Sequence, residues 1–148
     1  MSKKYETEDE ILSLVEAFEA GAIPRAEWNH AGHLTVALYY CSIHDLATAT
    51  EKMRRNLLHH LKAIGVDLTK EMPYHETLTA FWMRTVDDFR KSKNGAPLVA
   101  TANELVAGFD KDYPLCFYSR EVLFGDEARA RFVEADLPQK ESAVSVRL

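Results

Sequence analysis

The chain has 148 residues, 47% of them hydrophobic, which suits one packed core and is short for two. A formal charge of −5 gives no global basic field for nucleic acid, and two cysteines, Cys41 and Cys116, lack the spacing of a disulfide framework or a metal-thiolate pair. The opening MSKKYETEDE leads into an amphipathic stretch carrying Glu16 and Glu19, so no secretory segment or membrane span is expected, the expected address is the cytoplasm, and both thiols read as reduced and buried.

The segments that follow have helical period. The first opens with Thr7 as N-cap and Glu10 in the capping-box position, carries Ile11, Leu14, Val15 and Phe18 on one face, and stops at Gly21. Asn29 caps a second, from His30 to about Ser42. Asp45 caps a third, the longest, in which Met53, Leu57, His60, Leu61 and Ile64 share a face before Gly65 ends it. A fourth runs from about Tyr74 to Ser92 and closes at Asn94-Gly95; Pro97 suits the first turn of a fifth, with Leu98, Ala102, Leu105 and Phe109 as its stripe. The stretch LCFYSREVLFGDEARARFVEADL reads as two short turns broken at Gly125, and the tail 138–148 has no period and is expected to be mobile. The basic runs Lys52-Arg54-Arg55 and Arg90-Lys91-Lys93 fit solvated faces and helix ends. No alternating strand survives, so the expectation is an all-α, single-domain bundle of five to six helices over 1–137.

Chemistry concentrates in WNHAGHL and PYHET. At about 100° per residue, His30 and His33 fall on the apolar stripe of the second helix, and His75 on that of the fourth. Three imidazoles, each in a first turn, would form a divalent-metal site for zinc, iron, manganese or nickel if the two helix starts lie together, with an open position for water and Glu76 as general base of a hydrolytic step. The opposing reading makes the same histidines a polar core network in a non-enzymatic binding or regulatory module. A third uses them without metal to bind an acidic small molecule, with Arg120, at a helix start that disfavours its charge, and Arg129 as anion contacts. Tyr74 and Tyr118 are further ligand contacts. His60 reads as core or rim, and His44 and His59 as surface. Trp28 is placed to staple onto the second helix, and Gly32 invites close approach of another backbone. No phosphate loop, dinucleotide fingerprint or nucleophile elbow is present in the sequence, so the expected partner is a small molecule, with neither nucleic acid nor membrane.

WNHAGHL, YHETLTAFWMR and YSREVLFGDEARARFVEADL together resemble an uncharacterised family of small bacterial proteins with W-[TN]-H-x-x-H-L, Y-H-E-T and Y-S-x-x-L motifs. The likeness covers most of the chain after Pro24 and falls on Trp28, His30, His33, Leu34, Tyr74, His75, Glu76, Thr77, Tyr118, Ser119, Leu123, Arg129, Asp136 and Leu137; Phe132 stands where the family pattern has tryptophan. The resemblance implies a shared bacterial fold and points at the same residues. It lends no reaction, substrate or cofactor.

Overall fold

Side chains that take up the first free amides decide where the helices begin. In the computed structural model, which describes residues 4–70 and 73–138, there are seven: α1 (Glu8–Glu19), α2 (His30–Ile43), α3 (Leu46–Ala63), α4 (Glu76–Ser92), α5 (Leu98–Gly108), α6 (Arg120–Leu123) and α7 (Asp126–Ala130). Short 3-10 turns at Arg25–Glu27 and Tyr113–Cys116 join them. Thr7 and Glu10 form the expected capping box, Asn29 Oδ1 accepts the Gly32 amide at 2.9 Å, and Asp45 Oδ1 accepts that of Thr48 at 2.8 Å. Among the described residues no strand occurs, and the all-helical bundle has five substantial helices and two short ones. None of these helices is long and apolar enough to cross a membrane. Residues 139–148, where mobility is expected, lie outside the described residues.

Helix α2 is the axis. Leu34, Val36, Ala37, Leu38, Tyr40 and Cys41 are buried on every side of it, because α1, α3, α4 and α5 all pack against it. Gly21, at φ +69°, ends α1 where a Cβ would stand 2.4 Å from that of Ala63, so the ends of α1 and α3 touch. At Gly32 it is the ring of Trp28, not another backbone, that approaches: a Cβ would meet Trp28 Cζ3 at 3.4 Å. The same indole stacks on Phe18 of α1 at 4.5 Å, so Trp28 staples two helices at once.

Four local expectations are corrected. Helix α4 starts at Glu76, with His75 as its N-cap; Pro97 is likewise the N-cap of α5. Cys116 is exposed, because the tight turn that contains it directs Pro114 inward. His44 is half-buried where a surface position was expected, whereas His59 is exposed.

Candidate functional site

The three histidines singled out by the sequence have three different jobs. His30 points Nε2 at the carbonyl of Phe109, 2.9 Å away, and sets its ring edge-on to Trp82 at 4.9 Å. A carbonyl only accepts, so Nε2 carries the proton and His30 ties α2 to the end of α5. His75 is engaged at both ring nitrogens: Nδ1 accepts the Leu78 amide at 3.1 Å, and Nε2–H is donated to the Leu123 carbonyl at 2.6 Å. No ring lone pair is left for a metal while that cap stands. Of the three, His33 alone makes no hydrogen bond among the described residues, its Nε2 buried without a partner there. Among the described residues no three His, Cys, Asp or Glu side chains are grouped to hold a metal ion.

His33 instead shares a cavity of about 300 Å³ with His60 of α3 and with His75. Trp28 and Tyr74 give it flat walls, and Leu57, Leu61 and Leu78 apolar ones. His60 is 1% exposed, and neither Nδ1 nor Nε2 has a partner; its ring lies between Phe18 at 5.6 Å and Trp28 at 5.5 Å. Burial, reinforced by the neighbouring His30, pushes the His33 pKa down to about 4, and burial, then His59, lowers that of His60. Both rings are therefore neutral at physiological pH, each offering one donor and one acceptor. Three buried polar atoms without partners on the residues of one cavity are unusual, since each costs about 1–3 kcal/mol when unsatisfied. The other two such atoms among the described residues, His44 Nε2 and Arg90 Nε, sit at the ends of α2 and α4 and line no cavity with them.

Glu76 is a fastener between helices. Arg54 of α3 grips it in a fork, Nε to Oε1 at 2.9 Å and Nη2 to Oε2 at 2.6 Å, and Tyr74 donates its hydroxyl to Oε1 at 2.5 Å. Arg54 first, and Tyr74 after it, lowers the Glu76 pKa against the opposing effect of burial. A carboxylate with both oxygens engaged and its basicity lowered is poorly suited to the general-base role expected of it. Tyr74 does line the cavity, and burial followed by Glu76 pushes its hydroxyl up to about 12, so it stays protonated.

The remaining candidates serve the C-terminal strap or solvent. Tyr118 donates to the Val133 carbonyl at 2.6 Å, and Thr77 Oγ1 donates to the Arg131 carbonyl at 3.0 Å while accepting the Val133 amide at 3.1 Å. Together with His75 they bind the segment after α5 across the start of α4. Burial first lowers the His75 pKa and the charge of Arg129, half-buried on α7, adds to it; Arg120 is exposed at the start of α6. Neither arginine lines the histidine cavity. His60, expected at the core or rim, is in the core and also lines this cavity. A two-residue connection between α2 and α3 makes them antiparallel neighbours, which returns the last turn of α3 to the first turn of α2.

No protein-family model, curated protein or solved structure matches the chain.

Proposed function

We propose that the protein binds a small, uncharged organic molecule in the cavity between α2, α3 and the start of α4. His33 and His60 are its polar contacts, and Trp28 and Tyr74 its flat walls. The supporting observation is two neutral imidazoles, His60 buried and His33 half-buried, with three buried ring nitrogens, His33 Nε2 and both of His60, that lack partners among the described residues. A charged ligand is disfavoured: it would lose its hydration among neutral groups, because the one charged pair nearby, Arg54 and Glu76, already satisfies itself. A volume of about 300 Å³ is at the small end of the range for ligand pockets. A half-turn about χ2 of either histidine presents the other ring edge, so the pair adapts to donors and acceptors alike.

The test uses chelator-stripped protein, side-chain nitrogen NMR of the imidazoles, and two flat neutral probes, indole and adenine, with Zn²⁺ as a separate arm. A saturable shift of the His33 and His60 ring nitrogens with either organic probe, abolished in His60→Leu, is the expected result. Stoichiometric Zn²⁺ uptake at His33 and His60 would replace this reading with the divalent-metal one. Silence in every arm, with both ring nitrogens reporting protein hydrogen bonds, would return the histidines to a structural network.

A further inference from the structure

A second cavity, about 640 Å³, opens along another face of α4, and nothing in the histidine site uses it. Seven of the residues on its walls are aromatic. Phe81 stands among them, with ring centroids 5.9 Å from Tyr113, 5.4 Å from Phe117 and 6.2 Å from Tyr118, and Phe132 remains 43% exposed beside them. The other notable members are charged and exposed: Arg84 and Asp88 on α4, and Glu134 on the C-terminal strap. Arg84 and Asp88 are one helical turn apart, a spacing at which ion pairs form, yet among the described residues neither they nor Glu134 makes an ion pair.

Aromatic faces carry negative quadrupole and attract cations, and two unpaired carboxylates against one guanidinium give the rim a net charge of the same sign. The chain makes one such contact itself at the edge of the groove: the Lys93 ammonium lies 5.1 Å from the Phe89 centroid, held there by Glu104 at 2.6 Å. An anion would meet both carboxylates and the ring faces. A neutral guest would leave the carboxylates with only water. We propose that the groove is a second ligand site, selective for an organic ammonium ion with an apolar body, which the rings enclose while Asp88 and Glu134 face its charge.

Isothermal titration of the full chain, in the His60→Leu background so that the first cavity is not read, tests this with three meta-substituted phenols, the first two of one shape. They are (3-hydroxyphenyl)trimethylammonium, its carbon isostere 3-tert-butylphenol, and the anion 3-hydroxybenzoate. The cation is expected to bind about tenfold tighter than the isostere, with the anion weakest. Asp88→Asn and Glu134→Gln should each weaken the cation about two- to fivefold and leave the isostere unchanged. Arg84→Gln should tighten it by a similar factor, a gain that a misfolded variant cannot mimic. Phe132→Ala should weaken cation and isostere alike. Equal affinity for cation and isostere overturns the proposal, as does no detectable binding of the cation at about 10 mM, which corresponds to roughly −3 kcal/mol.

Discussion

On one side of the start of α4, every polar contact is closed. His75 caps the helix and reaches the Leu123 carbonyl, Thr77 both donates to and accepts from the strap, and Tyr118 fixes the strap at Val133. On the other side, His33 and His60 keep three ring nitrogens away from water and without a partner among the described residues. The atoms of both groups are buried at the same end of one helix, although His33 as a whole is only half-buried, so burial alone does not separate them. Satisfaction does: the first set holds the fold together, whereas the second carries the cost of unsatisfied nitrogens, which the proposed guest would offset.

The contrast breaks most visibly at His75. His75→Ala removes a helix cap and strands the Leu123 carbonyl, an expected loss of about 2–4 kcal/mol in chemical denaturation, with amide exchange rising through residues 117–137. His75→Asn keeps a capping acceptor and should recover about 1 kcal/mol of that. An alanine variant within 0.5 kcal/mol of wild type, roughly the scatter of surface substitutions, would deny the strap its role.

Acid probes both sides together. His33, His60 and His75 all have folded pKa values below that of an unfolded histidine, so their contribution is complete above about pH 6.5 and is lost as pH falls. For His33 the window extends down to about 4, and stability should decline by up to about 1.4 kcal/mol per pH unit across it. Replacing His33 by leucine should flatten the profile in that window; an unchanged profile would place its folded pKa near the unfolded value. A smaller effect follows at the Arg54–Glu76 fastener, where Glu76→Gln should cost about 1 kcal/mol, since the pair is partly exposed, and leave probe binding in the cavity intact. Loss of binding with unchanged stability would move Glu76 from fastener to ligand contact.

Local chemistry made most of the fold legible. Thr7 with Glu10, Asn29 and Asp45 cap the helices they were expected to cap, and the 3.6-residue spacing of Ile11, Val15 and Phe18 marks the buried face of α1. Histidine is an uncommon N-cap, which is why His75 reads as a residue inside α4 until its Nδ1 is seen on the Leu78 amide. The site was half legible. His33, Tyr74 and His75 do line one cavity, while His30 does not; the pairing of His33 with His60 depends on the antiparallel return of α3, and the Arg54–Glu76 fork on which faces of α3 and α4 meet. Periodicity gives the face of a helix and is silent on its neighbour.

The smallest expected stability change carries the most weight. In denaturant unfolding of the ligand-free protein, His60→Leu should be as stable as wild type or more stable by about 1 kcal/mol, because leucine fills apolar space without two orphaned nitrogens. The same variant should lose the indole and adenine response of the wild type. A His60→Leu protein destabilised by about 1–3 kcal/mol would contradict the account, since that loss would mean His60 has hydrogen-bond partners of its own and the cavity has no vacancy to fill.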